Sequence, residues 1–241
     1  MKEFVFTDGW YWFLIAAVVC YFIGCFNFAV LISHIKKKDI RSMGSGNPGT
    51  MNMTRTFGLK FGAINYFCDV FKGGVPALVA YFIFKDYVFS GTQVLVSDFM
   101  RYFCGTFVII GHIFPAPYKF KGGKGIASTM GLFAFALPCE EWWYVFIALA
   151  ILLSVLIYII YAEWGSMGSL YGVSSLTVFQ AVIFVSRYSD CAKNGWVIAT
   201  FMLLLALNLL TWLAHRKNVY KLLGGEEHRT IVRKKRKQRM K

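Results

Sequence analysis

The residues with chemical reach gather in three polar stretches of an otherwise apolar chain. The first runs Gly44-Ser45-Gly46-Asn47-Pro48-Gly49-Thr50-Met51-Asn52-Met53-Thr54-Arg55, the longest glycine-rich polar interval. Three glycines and a proline oppose regular helix or strand. They favour a loop whose backbone N–H groups point at a ligand, and Arg55 adds a planar guanidinium suited to bidentate phosphate contact. By itself the stretch reads equally as an anion loop or as a flexible connector between membrane helices. The second, Lys121-Gly122-Gly123-Lys124-Gly125, sets two cations among three glycines. Glycines let backbone amides approach a phosphate closely, and lysines supply point charge. Ordinary basic punctuation of a membrane loop is the competing reading. Neither stretch is G-x-x-x-x-G-K-[ST], so ATP hydrolysis is not indicated. The third is His215-Arg216-Lys217-Asn218, whose His and Asn stand three apart and share a face if a helix continues that far. A histidine serves as base or phosphate donor near neutral pH, and Asn218 donates to the same anion. Interfacial snorkelling and compensation of a helix C-terminus explain the same residues without chemistry.

The elements that would position these residues are membrane helices. Of 241 residues, 57% are hydrophobic, 18% aromatic and only 16% charged, with a mean hydropathy of +0.54. Soluble domains carry about 25% charged residues. Apolar runs near the roughly 20 residues of a spanning helix recur along the chain. The expected fold is an all-α polytopic membrane protein with seven transmembrane helices at roughly 10–35, 61–84, 94–114, 126–138, 142–161, 169–187 and 195–213. The fourth is short. The first run is no cleavable signal: it follows Glu3 and Asp8 and ends in Ile35-Lys36-Lys37-Lys38 without a small-residue cleavage site. One membrane domain, 1–227, and a basic cytoplasmic tail, 228–241, account for the whole length.

Charge orients the bundle. With the N-terminus outside and the C-terminus cytoplasmic, the inner segments hold twenty Lys and Arg, and the outer ones only Lys2, Lys85, Arg187 and Lys193. The positive-inside rule therefore explains most of the net charge of +14, and no nucleic-acid partner is called for. The tail, with Arg233-Lys234-Lys235-Arg236-Lys237, reads as a segment attracted to anionic lipid. In this arrangement the spans starting near 61, 126 and 169 all begin at the inner face. Each follows a small-residue loop, the third being Gly165-Ser166-Met167-Gly168-Ser169. Three helix N-termini, with unpaired N–H groups and positive dipole ends, are the ingredients of an anion pocket.

Other candidates are weaker. Asp69 and Lys72, three apart inside the second span, read first as a structural ion pair and second as a substrate contact by Lys72. His34 and Asp39 match H-x-x-x-x-D, the signature of acyltransferases that use acyl-coenzyme A. A chain with four His and six Asp shows such a match about once in ten by chance, so it is taken as coincidence. The six cysteines form no C-x-x-C pair, and four lie inside apolar runs. No metal site and no disulfide framework is expected; Cys139 and Cys191 fall on outer loops, with nothing to support a bridge between them.

Taken together, the motifs resemble those of the bacterial acyl-phosphate-dependent glycerol-3-phosphate acyltransferases. The resemblance rests on Gly44 to Gly49 continuing through Asn52 and Arg55, on Lys121 to Gly125, and on His215-x-x-Asn218 followed by Val219 and Leu222. Asp69-Val70-Phe71-Lys72-Gly73 and Gly111-His112-Ile113-Phe114-Pro115 support it, and it extends over about 12–230. The chain departs from the family at Thr50-Met51, where Ala-Thr is usual; at Gly165-Ser166, where two serines are usual; and at Ala214, where Arg is common. The resemblance implies transfer of a fatty acyl group from acyl phosphate to the sn-1 hydroxyl of glycerol 3-phosphate. The products are lysophosphatidic acid and inorganic phosphate, in the first step of phospholipid synthesis. It implies catalytic roles for Ser45, Arg55, Lys124, His215 and Asn218, and substrate binding by Gly44, Asn47, Gly49, Asn52, Lys121, Gly122, Gly123, Gly125 and Ser166. It implies no cofactor, a place in the bacterial cell membrane with the site on the cytoplasmic face, and a functional link to an acyl-phosphate-forming enzyme. A small-anion transporter or channel is the rival class, but its site needs access from both faces and these motifs lie on one.

Overall fold

Residues that are apolar on every side form helices that bury their backbone polar groups internally and leave side chains for lipid or for each other. A computed structural model describes residues 1–226; the basic tail expected at 228–241 lies outside the described residues. The chain forms α1 (Phe6–Cys25), α2 (Phe28–Ile35), α3 (Thr50–Phe57), α4 (Leu59–Phe84), α5 (Val96–Ile113), α6 (Ile126–Ala136), α7 (Tyr144–Ala162), α8 (Gly165–Arg187) and α9 (Gly195–Leu223). Large apolar side chains such as Leu149, Leu153 and Leu156 on α7 stay exposed on the outside of the bundle. By contrast, α5 is buried along nearly its whole length. Outside the all-α expectation, three-residue strands β1 (Lys2–Phe4) and β2 (Tyr87–Phe89) pair in parallel.

Two of the expected spans look different in the structure. Six helical segments of 19 to 30 residues among the described residues are long and apolar enough to cross a membrane. The segment expected at 126–138 is not among them. α6 has 11 residues, and Leu137–Cys139 continues it only as a tight turn holding Pro138. At 1.5 Å per residue α6 is about 16 Å long, half of a hydrocarbon core. Its residues from Ser128 to Phe133 are all buried, so it is an internal strut. The first span is broken at Phe26 and Asn27, where the chain becomes extended and Asn27 caps α2 by accepting from Val30 N–H at 3.0 Å. The break leaves the Phe26 carbonyl outside any helical ladder.

Small residues hold the helices close. A Cβ on Gly73 of α4 would lie 1.9 Å from the Ser128 carbonyl oxygen, and one on Gly131 of α6 would lie 2.0 Å from that of Val70. Backbones touch there, as small-residue helix crossings allow. At the end far from the motifs, Arg101 donates to Asp98 and Glu140 at 2.5 Å each, and Arg187 pairs with the same two carboxylates. Two guanidinium groups and two carboxylates make a neutral set that ties α5, α8 and the turn after α6 together.

Gly131→Leu forces bulk into this backbone contact, where overpacking costs about 1–3 kcal/mol or more. The expected result is a lower melting temperature in detergent than for Val182→Leu, a change at an exposed α8 position. Equal melting curves would contradict the close crossing.

Candidate functional site

The first motif is a loop wound around one side chain. Asn52, in the first turn of α3, is fully buried and turns its carboxamide back into the loop. Its Oδ1 accepts from Ser45 N–H at 3.0 Å, while its Nδ2 donates to the Ile40 and Met43 carbonyls at 3.2 and 2.9 Å. Gly44 has φ +58° and lies against that Oδ1, where a Cβ would come within 2.2 Å. Asn52, expected to bind substrate, therefore has its amide engaged in shaping the loop, and Gly44 is there for conformation and clearance. The Gly49 N–H turns back to the Asn47 carbonyl at 2.9 Å, and Gly49 precedes α3. Ser45 and Arg55 are exposed at this end of the bundle.

The second motif is tied to the end of α5. Gly122 N–H donates to the Ile113 carbonyl and Gly123 N–H to that of His112, both at 3.1 Å. These amides complete the unpaired carbonyls of a helix terminus, in contrast to the expectation that they face a phosphate. Close approach explains the glycines: a Cβ on Gly122 would sit 2.0 Å from the His112 carbonyl oxygen. Gly125, at φ +79°, turns the chain into α6, whose first-turn N–H groups have no intrahelical partner and carry the positive dipole end. Lys121 lines an open cleft of about 470 Å³ between the two motifs, with Arg41, Gly46, Pro48, Tyr118 and Gly122.

Side chains join the second motif, the 165–169 turn and the third motif. Lys124 Nζ donates to Asn218 Oδ1 at 2.7 Å, and Asn218 Nδ2 donates to Ser166 Oγ at 2.6 Å. One turn before Asn218 on α9, His215 is buried with Nδ1 2.9 Å from the Thr211 carbonyl. A carbonyl only accepts, so Nδ1 carries the proton and Nε2 the lone pair. Ser45 and Arg55 stand at the same end of the bundle, Ser45 on the loop around Asn52 and Arg55 on α3.

Several residues enter the site region that sequence reasoning did not place there. Arg41 forms a bidentate pair with Asp39 and lies 5.7 Å from the Tyr118 ring centroid, bridging the first two motifs. That pairing holds the Asp39 carboxyl below the usual carboxylate range. Asp39 is thus engaged chiefly with Arg41. Glu163, at φ +60° after α7, is a buried carboxylate three residues from Ser166. Asp69 and Lys72 form the expected ion pair at 2.9 Å, fully inside the bundle. Cys139 and Cys191 are both free thiols.

A family model described as glycerol-3-phosphate acyltransferase matches residues 14–225. The chain belongs to that family. The glycerol-3-phosphate acyltransferase of Finegoldia magna is 34% identical over 215 residues, covering 89% of this chain and 94% of its own. That of Mycoplasma mobile is also 34% identical, over 235 residues, covering 89% and 90%. Among solved structures, the crystal structure of PlsY, an integral membrane glycerol 3-phosphate acyltransferase in its glycerol 3-phosphate form, superposes with a TM-score of 0.72. It shares 29% identity and covers 90% of this chain and 95% of its own. The chain is accordingly an acyltransferase of phospholipid synthesis built as an integral membrane protein.

In this acyltransferase Asn52→Ala removes the three hydrogen bonds that wind the loop, each worth about 0.5–1.5 kcal/mol. Faster amide exchange across 40–49, with α9 unchanged, is the expected outcome; wild-type protection of the loop would contradict the role given to Asn52.

Proposed function

We propose that this protein transfers a fatty acyl group from acyl phosphate to the sn-1 hydroxyl of glycerol 3-phosphate, releasing lysophosphatidic acid and inorganic phosphate. The observation that carries this reading is the Lys124–Asn218–Ser166 chain, which unites the second motif, the end of α9 and the start of α8 at one end of the bundle. The proposal extends to seven spans, with the N-terminus outside and the site in the cytoplasmic face of a bacterial cell membrane. The excess of Lys and Arg on the motif side supports that orientation. In seven spans, α6 would supply the short fourth one, packed wholly within protein. An enzyme that forms acyl phosphate would supply the donor.

An acyl phosphate is an activated mixed anhydride, so the reaction calls for no covalent enzyme intermediate. Neutralising two phosphates, aiming a hydroxyl at the carbonyl and stabilising the oxyanion are sufficient. Lys124, Arg55 and Ser45 take the phosphate groups. Gly122, Gly123 and Gly125 set the path of the glycerol 3-phosphate loop, and Ser166, His215 and Asn218 complete the pocket. The sn-1 oxygen attacks the acyl carbon, the carbon–oxygen bond to phosphate breaks, and phosphate departs with the bonding pair. The hydroxyl proton passes to a phosphate oxygen. A buried His215, fixed at Nδ1 by a backbone carbonyl, orients substrate; protonating it would create an imidazolium inside the bundle.

Purified protein given palmitoyl phosphate and labelled glycerol 3-phosphate, with no coenzyme A, is expected to yield labelled lysophosphatidic acid and phosphate in equal amounts. Absence of product, or product only from acyl-coenzyme A, would overturn the proposal. Arg55→Ala is expected to lower kcat/KM about a hundredfold with normal membrane expression, the scale of a lost charge-assisted contact. Undiminished rates in detergent would remove Arg55 from the site. For His215→Gln, residual turnover is expected to keep the wild-type pH profile; loss of one limb of that profile would make His215 the base.

A further inference from the structure

A buried polar relay connects the first motif to the second, through residues to which the reaction above gives no part. Thr50, the first residue of α3, accepts at Oγ1 from Asn65 Nδ2 at 3.3 Å. The same amide nitrogen donates to Asp69 Oδ2 at 3.1 Å, and Asp69 Oδ1 lies 2.9 Å from Lys72 Nζ. Lys72 Nζ also donates to the Phe26 carbonyl at 2.9 Å, the group released by the break after α1, and lies 2.8 Å from His112 Nδ1. An ammonium has three protons, and here three acceptors surround it: a carboxylate, a carbonyl and an imidazole nitrogen. Lys72 is therefore held inside the bundle by two hydrogen bonds and an ion pair, turned away from the substrate contact that its position in the sequence also allowed.

The far end of the relay bears on the second motif. Because His112 Nδ1 accepts from the ammonium, its ring proton sits on Nε2. Nε2 is 2.3 Å from where a Cβ on Gly123 would stand, so the ring occupies the space of the missing side chain. The His112 carbonyl takes the Gly123 N–H at 3.1 Å. Asn65, Asp69, Lys72 and His112 are all at least nine-tenths buried. Ionic groups at that depth are expensive, and well-packed apolar residues would serve simple cohesion at least as well. What the relay adds is geometry: it fixes the 119–125 loop relative to the start of α3.

We infer that Asn65, Asp69, Lys72 and His112 are positioning residues for the glycerol 3-phosphate site, holding the second motif so that Lys124 meets Asn218. The inference rests on the acyl-acceptor role proposed for that loop. Lys72→Met leaves Asp69 as an unpaired buried carboxylate, whereas Asp69→Asn with Lys72→Met leaves a neutral pair. In the double variant, thermal stability in detergent is expected to recover towards wild type. The KM for glycerol 3-phosphate is expected to stay about tenfold raised, with the KM for acyl phosphate unchanged, the scale of one or two lost hydrogen bonds. Amide exchange of peptides covering 119–125, measured without substrate, should stay faster than wild type in the double variant and in the milder Asn65→Ala. Recovery of stability, exchange protection and KM together in the neutral pair would reduce the relay to cohesion and overturn the inference, as would equal rises in both KM values. The exchange measurement reads the relay even if wild-type protein refuses acyl phosphate, which separates failure of this inference from failure of the proposed reaction.

Discussion

The hydrogen bond from Lys124 to Asn218, 2.7 Å long, turns distant pieces of chain into one site. It spans 94 positions and joins the loop before α6 to the end of α9, and Asn218 passes the connection to Ser166 at the start of α8. Donors on short tethers hold such spacing only if the helices beneath them are fixed. The direct backbone contacts of α4 with α6 supply part of that rigidity. The neutral Arg101, Asp98, Glu140 and Arg187 set supplies it at the opposite end, where mobile helix ends would otherwise transmit motion along the bundle.

The two ends are chemically distinct for this reason. At the far end Arg101, Asp98, Glu140 and Arg187 balance one another, and among the exposed charges the acids Glu3, Asp8, Asp86, Glu141 and Asp190 outnumber Lys2, Lys85 and Lys193, so that end does not draw an anion. At the motif end Lys119, Lys121, Arg55 and Arg41 stay exposed beside turns of small residues, and the amides of three helix starts add positive dipole ends. A doubly charged headgroup finds compensation at one end only. That polarity favours a one-sided transfer reaction over passage of an anion through the bundle.

Much of this was legible in the sequence because it rests on local signals. Apolar runs located the spans, and glycine beside lysine marked the loops. Spacing alone paired Asp69 with Lys72 and placed His215 with Asn218 on one helical face. The remainder depends on contacts between residues remote in the chain. Nothing near His112 announces that its ring will fill the space beside Gly123, or that its carbonyl will take an amide that seemed destined for phosphate. Likewise, Asn52 looks like a substrate donor until the Ile40 and Met43 carbonyls are seen to surround it. α6 has the composition of a span, but its small residues make it a partner for α4, and its length follows from Pro138. The break in the first span had one local signal, Asn27, a favoured N-cap residue inside an apolar run; the Lys72 ammonium needing a carbonyl gives the break a use.

Labelling from each side of the membrane, with and without substrate, tests the convergence most directly. Cysteines placed singly at Ser45, Lys124 and Asn218 in oriented vesicles would be exposed to an impermeant maleimide. The account predicts labelling from the cytoplasmic side at all three and slower labelling of each when glycerol 3-phosphate is present. Labelling from opposite sides, or no protection at any of the three, would contradict a single cradle for the two phosphates.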